Sequence, residues 1–412
     1  MGIILIRVVN YLCLILLIGC VSENKQMQYP ETKKDDIQEV IFGKTITDPY
    51  RWLEDFTSEE ASAWVDKKND LTNTFLENKH QRKIKKELEE IWITQDISVP
   101  FKRGDKTFYY FDDGEQQQAV FMMKACDNCE AKVLLDPNKF SSDGTISLSD
   151  ISVSPDGKYL AYSISDGGSD WRKWKVLNIE DDRETDDLIE WSKFSYAVWE
   201  SDSSGFYYQK YSQPDEELSD INRSPQLFFH KLGQSQLEDQ LIYEDQQNPD
   251  FSWSINVPEQ GDYRVLSIGE GTDERNFLYI SLDRSLNFIP LIDKFEASYR
   301  FLGGNAETLW FFSNLDAPNG KILTLNISDK KFQWKELIGE KTFPISGASI
   351  AGDKLIINYL KDTISQVEFY NLQGKFIKEL PYENIGTLSG FNGSFLWTTK
   401  RSCVSSCNFI GC

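Results

Sequence analysis

Two stretches near the start of the chain place hydrophobic residues at helical spacing. The first begins at Thr57 or Ser58, where a hydroxyl residue followed by two glutamates is typical of a helix start. Apolar residues then recur on one side as far as Leu76, and the next run, "RKIKKELEEIW", has its own apolar stripe ending at Trp92. We therefore expect two amphipathic helices, each with an apolar face that needs a covering surface.

From about residue 100 the hydrophobic period changes to two, as in strands that bury one face. A turn containing glycine, followed by an aromatic-rich strand, recurs seven times, and most copies are followed by a second pair of strands. The seven glycines are Gly104, Gly157, Gly205, Gly261, Gly304, Gly352 and Gly393. Four short antiparallel strands in each unit of this length are the signature of a β-propeller blade.

The two patterns together predict a mainly β chain. We expect a seven-bladed β-propeller, with the last blade incomplete, preceded by an N-terminal α-helical segment. The predicted segments are a signal at 1–20, the helical segment at 21–95, the propeller at 96–395 and an aberrant tail at 396–412. An irregular array of β-sandwiches is the alternative to the propeller.

The predicted tail differs in composition from the rest of the chain. It ends in "KRSCVSSCNFIGC", which is basic and rich in cysteine, whereas the chain as a whole is acidic. Either a flexible tail or out-of-frame translation after a truncation explains this change, and the sequence leaves both open.

The first twenty residues contain one basic residue, Arg7, in a long apolar run, which is typical of a secretory signal. The run ends in "LIGC" at Cys20 and resembles the lipobox of bacterial lipoproteins, in which the cysteine is acylated. This resemblance implies export to the bacterial cell envelope, periplasm or outer membrane, with a lipid anchor at Cys20. Ser22, where inner-membrane lipoproteins carry aspartate, favours the outer membrane. A buried or transmembrane helix is the alternative, which Arg7 disfavours.

Composition and charge narrow the choice of partners. The chain has 412 residues, of which 40% are hydrophobic and 26% charged, as in ordinary soluble globular proteins. Its 44 basic and 65 acidic residues give a formal net charge of −21. A nucleic-acid partner is therefore not expected, and we interpret the acidic surface as an aid to solubility.

The cysteines do not predict a metal site. Cys126 and Cys129 form "CDNC", but one such pair without a second pair or a nearby histidine is weak evidence for zinc. We expect no metal and no cofactor. The Asp-Asn dipeptide between two strand-like runs is typical of a hairpin turn. The sequence leaves open whether this pair, or the cysteines near the C-terminus, form disulfides.

Several long segments of the chain resemble prolyl oligopeptidases, a family of serine peptidases. They run collinearly from about Tyr29 to about Phe395 and include "DPYRWLED" at 48–55, "LLDPNKFSSDGTISLSDISVSPDGKYLAYSISDGGSDWRKWKV", "SKFSYAVW", "PQLFFHKLG" and "YRVLSIGEGTDERNFLYISL". The resemblance implies a helical segment and a propeller that accompany a C-terminal α/β-hydrolase domain. In the family the propeller caps the active site and limits peptide size, while the hydrolase domain cleaves after proline with a Ser-Asp-His triad.

The resemblance also implies roles for individual residues. Phe194 matches an aromatic position in the wall of a substrate pocket. Gly269 stands where the family usually has an arginine that helps to hold the peptide, and Thr272 where relatives often have cysteine. The residues expected at the interface with the hydrolase domain are Tyr50, Trp52, Leu53, Asp170 and Trp171. Packing or turn roles are the alternative for Phe194, Asp170 and Trp171.

No catalytic residue is predicted. The family's nucleophile lies in a Gly-x-Ser-x-Gly turn between a strand and a helix, and the nearest match is "GASIAG" at 347–352. Ala351 stands where the family's turn carries glycine, and no histidine follows Ser349 to act as its base. We interpret His80 and His230 as solvated or structural residues.

Two functions are compatible with these patterns. The first is the N-terminal and propeller portion of a prolyl oligopeptidase-type endopeptidase, truncated and inactive as this chain. The second is a lipid-anchored propeller that acts as a peptide-binding or scaffold module, although fold alone does not establish such a role. An incomplete seventh unit argues against the second, because unpaired strand edges invite aggregation. The expected partners are short proline-containing peptides and the hydrolase domain, with membrane contact through the lipid anchor only.

Overall fold

The computed structural model describes residues 28–214, 223–328, 332–382 and 386–391. The predicted signal with Cys20, the seventh repeat at Gly393 and the predicted tail all lie outside these residues. The chain divides into two compact units, with the boundary between Trp92 and Ile93.

The first unit contains a short hairpin followed by two α-helices. Its elements are β1 (Gln38–Ile41), β2 (Lys44–Thr47), a 3-10 helix (Arg51–Glu54), α1 (Glu59–Leu76) and α2 (Lys79–Trp92). Ser58 is the N-cap of α1, and its hydroxyl accepts a hydrogen bond from the Ala61 N–H at 3.2 Å. This bond satisfies one of the amide groups that the start of a helix leaves unpaired.

Helix α2 carries the apolar stripe expected from its sequence. Ile84, Leu88, Ile91 and Trp92 are each more than half exposed. Away from this stripe, lysines face glutamates four residues later, for example Lys83 and Glu87 at 3.5 Å. Such pairs are typical of a solvated helix face, so within the first unit the stripe is the uncovered apolar side of the helix.

The second unit consists of antiparallel strands that mostly pair in sequence order. The first sheet contains β3 (Asp96–Ile97), β4 (Phe101–Arg103), β5 (Lys106–Asp112), β6 (Val120–Lys124) and β7 (Ala131–Leu135). An eight-stranded sheet follows, with β8 (Ile146–Val153), β9 (Tyr159–Asp166), β10 (Arg172–Asn178), β11 (Arg183–Ser192), β12 (Val198–Trp199), β13 (Gly205–Lys210), β14 (Gln226–Lys231) and β15 (Gln240–Tyr243). The 3-10 helix Pro137–Lys139 lies between the two sheets, after β7, and the 3-10 helix Gln236–Glu238 lies between β14 and β15.

Three four-stranded sheets complete the described part of this unit. The first contains β16 (Phe251–Asn256), β17 (Arg264–Glu270), β18 (Asn276–Ser281) and β19 (Ile289–Ile292). The second contains β20 (Tyr299–Gly304), β21 (Thr308–Ser313), β22 (Lys321–Asn326) and β23 (Gln333–Ile338). The third contains β24 (Ile345–Ala351), β25 (Lys354–Lys361), β26 (Ile364–Asn371) and β27 (Phe376–Glu379).

Groups of four strand positions repeat along the unit. In the first sheet β3 and β4 share one edge of β5, and the eight-stranded sheet joins two groups where Ser192 of β11 pairs with Lys210 of β13. Hydrophobic cores lie between neighbouring sheets, as where Ile280 of β18 packs with Phe311 of β21. Serial four-stranded sheets packed face to face are the arrangement of propeller blades. The mainly β prediction is confirmed; the count of seven blades stays a prediction.

The repeated glycine turns lead into the second strand of each group, and the first two turns meet. Gly104 and Gly157 have positive φ angles of 54° and 70°. A Cβ atom on Gly104 would lie 2.6 Å from the Asp156 carbonyl oxygen, and one on Gly157 would lie 2.6 Å from the Arg103 carbonyl oxygen. Only glycine fits both the backbone angle and the space at these positions. Part of the sequence repeat therefore reflects close packing between neighbouring turns.

Candidate functional site

A cavity of about 800 Å³ opens between the group β12–β15 and the group β16–β19. We call it the aromatic cavity, because its lining includes Phe194 and Tyr196 before β12, Tyr207 on β13, and Phe251 and Trp253 on β16. Aromatic rings offer large apolar faces with little conformational freedom to lose, which suits a binding surface.

The three substrate-binding residues predicted from the resemblance all line this cavity. The Phe194 ring is 62% exposed, so it lies at the cavity surface and not in a core. Gly269 is on β17, and a Cβ atom there would meet only the Ser252 hydroxyl oxygen, at 3.8 Å. Position 269 therefore has room for a side chain. Thr272 follows β17 in the same wall.

Hydrogen bonds hold the floor of the aromatic cavity in one arrangement. The Ser195 hydroxyl accepts from the Gln209 N–H at 2.7 Å. The side-chain oxygen of Gln209 accepts from the Trp253 N–H at 3.0 Å, and the Trp253 indole N–H donates to the Pro225 carbonyl at 2.7 Å. Gln209 and Trp253 are both buried. These bonds link two neighbouring groups of strands and fix the orientation of the Trp253 ring.

Lys193 connects the aromatic cavity to two residues predicted for another role. Its ammonium nitrogen lies 5.5 Å from the Phe194 ring centroid and 5.0 Å from that of Trp171, distances at which cation–π attraction operates. The same nitrogen is 4.0 Å from a carboxylate oxygen of Asp170. Asp170, Trp171 and Phe194 are therefore gathered around one lysine. Sequence reasoning missed Lys193, although it directly precedes Phe194 in "SKFS".

Trp171 itself is mostly buried, at 8% exposure. Its ring makes edge-on contacts with Trp191, at a centroid distance of 5.6 Å, and with Tyr211, at 6.2 Å. Asp170 beside it is exposed. The packing role considered for Trp171 is thus present, while a role for either residue at a domain interface stays a prediction.

The segment 48–55 lies in the first unit, where part of its aromatic surface is covered. The Trp52 ring packs edge-on against Trp64 of α1 at 6.4 Å, and its indole N–H donates to the Lys33 carbonyl at 3.1 Å. Tyr50 is 39% exposed, and Leu53 is half-buried. Trp52 therefore contacts both Trp64 and Lys33 within its own unit. The interface role predicted for Tyr50, Trp52 and Leu53 stays a prediction.

A second arrangement of polar side chains looks catalytic at first sight. We call it the His230 cluster: Thr185, Asp187, Tyr208, His230 and Asp239. The His230 ring nitrogens lie 2.7 Å from Asp239 and 2.9 Å from Asp187. The Tyr208 hydroxyl donates to Asp239 at 2.7 Å, and the Thr185 hydroxyl donates to Asp187 at 2.6 Å. Asp187 is on β11 and His230 on β14, so the cluster ties two groups of strands together.

Burial and hydrogen bonding set the protonation of this cluster. Burial alone would lower the pKa of His230, but the hydrogen bonds to Asp187 and Asp239 outweigh it and raise that pKa to about 9. Burial would raise the pKa of Asp187, yet His230 holds it below its ordinary value. Because His230 is completely buried and both ring nitrogens are bonded, it cannot act as a general base for a substrate. It is structural, one of the two roles predicted for it.

Neither the second histidine nor the serine of the nearest nucleophile match lies in a catalytic arrangement of the described residues. His80 is exposed on α2. Ser349 lies within strand β24, and its hydroxyl donates to the Phe391 carbonyl. A nucleophile turn lies between a strand and a helix, so "GASIAG" is not one. The described residues hold no group of three or more side chains suited to a metal ion.

Residues 29–410 match the family described as prolyl oligopeptidase, N-terminal beta-propeller domain. The chain belongs to the prolyl oligopeptidase family. It is 36% identical over 393 residues to a prolyl endopeptidase of Elizabethkingia miricola, covering 94% of this chain and 55% of that relative. It is 29% identical over 402 residues to prolyl oligopeptidase A of Amanita bisporigera, covering 88% of this chain and 53% of that relative. The chain therefore spans about half the length of the curated relatives it matches.

Solved structures of the prolyl oligopeptidase family give the same result for the fold. One, from a structural and mechanistic analysis of two prolyl endopeptidases, has a TM-score of 0.69 and 28% identity, covering 89% of this chain and 54% of the other. Prolyl oligopeptidase B of Galerina marginata, bound to a 25mer macrocyclization substrate, has a TM-score of 0.78 and covers 89% of this chain and 56% of the other. Its identity is 24%, so it supports the fold alone.

Proposed function

We propose that this propeller is part of a serine endopeptidase that cleaves short peptides after proline, and that the aromatic cavity binds a segment of the peptide. One observation carries the proposal. Phe194, Gly269 and Thr272, which match substrate-pocket positions of the family, line one cavity although up to 78 residues separate them (272 − 194). Aromatic faces such as that of Phe194 favour proline rings and other apolar side chains.

The charges in the aromatic cavity support an apolar mode of binding. Among its described lining residues, Asp250 is the charged one, and it pairs with Arg223 at 3.0 Å. The arginine that the family usually carries is replaced by Gly269. Peptide binding here therefore rests on ring contacts and amide hydrogen bonds, and less on ion pairing than in relatives that have the arginine.

We do not propose that these 412 residues alone hydrolyse peptides. The chain has two histidines, of which His230 is buried between two aspartates and His80 is exposed on α2. Neither is placed to take a proton from Ser349, and an acyl-enzyme needs such a base. The catalytic triad of the proposed peptidase lies in the hydrolase domain of the family.

The test is a calorimetric titration of the purified chain with a proline-containing peptide whose ends are blocked. Phe194→Ala should weaken binding by about five- to tenfold, since truncating an aromatic contact costs on the order of 1 kcal/mol. Phe42→Ala, at a fully exposed phenylalanine of the first unit, is the matched control and should bind as before. Equal binding by all three chains would contradict the proposal. We expect this chain alone not to hydrolyse a chromogenic proline peptide. Hydrolysis that a serine-reactive phosphonate inhibits would contradict this expectation.

We also propose that the propeller has seven blades and that the helical segment contacts the hydrolase domain. A seven-bladed ring is supported by the seven glycine turns and by the six groups of four strand positions in the described residues. The helical segment is proposed to pack on the hydrolase domain with Tyr50, Trp52 and Leu53. The exposed apolar stripe of α2 supports this, because an exposed apolar surface of this kind marks an interaction site. Removing that stripe should weaken association with a separately produced hydrolase domain.

Export with a lipid anchor at Cys20 is proposed on the sequence "LIGC" and on one structural observation. Cys126 and Cys129 form a disulfide in the turn between β6 and β7. Disulfides persist in oxidising compartments such as the bacterial periplasm. In the described residues no helix is both long enough and apolar enough to cross a membrane. Labelling with a radioactive fatty acid should mark the chain, and Cys20→Ser should abolish the label. Labelling that survives this change would contradict the anchor.

A further inference from the structure

A second cavity, of about 820 Å³, lies beside the outer edge of β11. We call it the β11 groove. One wall is β11 itself, with Asp186, Leu188 and Glu190, and the other includes the 3-10 helix Gln236–Glu238. Leu188 is 43% exposed and Leu237 is 97% exposed. The groove therefore combines a strand edge with apolar side chains that the described residues leave uncovered.

The edge of β11 is only partly paired in the described residues. On one side the strand pairs with β10, and the register is irregular between Ser192 and Ile189 and again between Leu188 and Glu184. On the other side it pairs with β13 at Ser192, and the Trp191 carbonyl accepts from the Tyr211 N–H at 2.9 Å. Among the described residues, no strand pairs with this side of β11 from Glu190 back to Asp186, and the Asp187 carboxylate there accepts from the Gly233 N–H at 2.6 Å. A strand edge of this kind is a template for an added strand.

The side-chain amide of Gln236 already binds the backbone of this edge at Glu190. Its side-chain oxygen accepts from the Glu190 N–H at 3.1 Å, and its side-chain nitrogen donates to the Glu190 carbonyl at 3.0 Å. One residue of an added antiparallel strand would make the same two bonds, with its own C=O and N–H. Backbone groups two residues apart in a strand point to the same side. The N–H and C=O of Leu188 therefore face the groove next to Gln236.

The charged side chains of the β11 groove indicate which kind of peptide segment would bind there. Asp186 is exposed, and no basic group of the described residues lies within 4.0 Å of its carboxylate. Lys210, the lysine of the lining, has its ammonium 4.8 Å from the Phe228 ring centroid. The whole chain carries a net charge of −21. A basic segment is therefore favoured over an acidic one, and over a second copy of this chain.

We propose that the β11 groove binds an extended peptide segment of a partner protein, which adds to the edge of β11 and directs a basic side chain toward Asp186. Backbone hydrogen bonds to Leu188 supply affinity, and alternate side chains supply specificity, as in other cases of strand addition. The proposal rests on β11 and the Gln236–Glu238 helix. It requires neither peptide binding in the aromatic cavity nor peptidase activity, so it stands or fails separately from them.

The test uses an end-blocked hexapeptide of alternating lysine and valine, titrated into the purified full chain by calorimetry. The same peptide N-methylated on alternate residues cannot make strand hydrogen bonds and should bind about tenfold more weakly, a loss of about one hydrogen-bonded pair. Replacing its lysines by glutamates should also weaken binding by about tenfold. Equal binding of the methylated and parent peptides would overturn strand addition.

Variants of the chain locate the site. Asp186→Lys changes an exposed side chain, so the fold should persist, and it should weaken binding of the lysine peptide by about tenfold. Glu307→Lys, in an exposed turn of another sheet, is the matched control and should leave binding unchanged. Unchanged binding by Asp186→Lys would overturn the proposal. Weaker binding by Phe194→Ala alone would place the peptide in the aromatic cavity, and would overturn it too.

Discussion

The His230 cluster and the aromatic cavity both include residues of the strands β12–β15, but they differ in how far their side chains are buried and bonded. In the cluster, His230 is completely buried and each ring nitrogen has a carboxylate partner. In the cavity, Phe194 is 62% exposed and contacts Lys193, while Gly269 leaves open space. The first region is complete by itself. The second has surface left over for another molecule.

This difference separates structural from binding roles. A strongly shifted pKa often marks a functional site, but ion-pair networks that hold a fold together shift pKa values as well. The raised pKa of His230 comes from partners that already satisfy it. None of the three predicted substrate-binding residues is ionisable, and their shared property is access to the aromatic cavity. The binding role proposed for the aromatic cavity therefore rests on exposure and open space, and not on shifted pKa values.

The largest effect should come from breaking the His230 cluster. His230→Ala leaves the buried side chains of Asp187 and Asp239 without their shared partner, so we expect a loss of about 3–5 kcal/mol in the free energy of unfolding. Urea denaturation measures it. His80→Ala, at the chain's other histidine on an exposed helix face, is the control and should stay within about 0.5 kcal/mol. A loss below about 1 kcal/mol for His230→Ala would show that the cluster is not a structural clamp.

The same cluster should make stability depend on pH. The pKa of His230 is about 9 in the folded chain and 6.5 ordinarily, so its contribution is fully present below pH 6.5 and is lost as pH rises through about 9. The pKa of Asp187 is lowered from 3.8, so its contribution is present above that value and is lost as pH falls through the lower folded value. The urea midpoint should therefore fall between pH 7 and pH 10.

The His230→Ala chain provides the comparison for this pH dependence. It lacks the raised pKa, so its urea midpoint should change less over the same range. If the two profiles ran parallel, the alkaline loss would have to come from other groups, and His230 would not be the source of the pH dependence.

Sequence patterns predicted the strand repeats and a helix start at Thr57 or Ser58. The family resemblance named three residues that line the aromatic cavity, Phe194, Gly269 and Thr272, but not the rest of its lining. Neither predicted the His230 cluster, because Asp187 lies 43 residues from His230 and Asp239 nine. Such contacts depend on how separate strands align in three dimensions. The pairing of Gln236 with the edge of β11 was missed for the same reason, since 46 residues separate it from Glu190.

Position 269 tests whether the aromatic cavity is an open site. A Cβ atom at Gly269 has room, so Gly269→Arg should fold normally and restore the arginine usual in the family. We expect about five- to tenfold tighter binding of a blocked proline peptide in calorimetry, because a hydrogen bond from a charged group contributes about 1.5 kcal/mol or more. Gly269→Ala is the control and should bind as the unmodified chain does. Weaker binding by the arginine chain would mean that the space at Gly269 is needed by the peptide itself.

The smallest effect should come from Lys193, which lies between the buried Trp171 and the exposed Phe194. Lys193→Met keeps the length of the side chain and removes the charge, so it should cost about 0.5–1 kcal/mol of unfolding free energy, the usual size of a cation–π contact near the surface. Lys210→Met removes a similar contact to Phe228, neither of which lines the aromatic cavity, and should cost about the same. Only the Lys193 variant should also weaken binding of the proline peptide, because Phe194 loses the group that orients it. If both variants bound that peptide equally well, Lys193 would be a packing residue like those of the His230 cluster, and the boundary of the binding site would lie at Phe194.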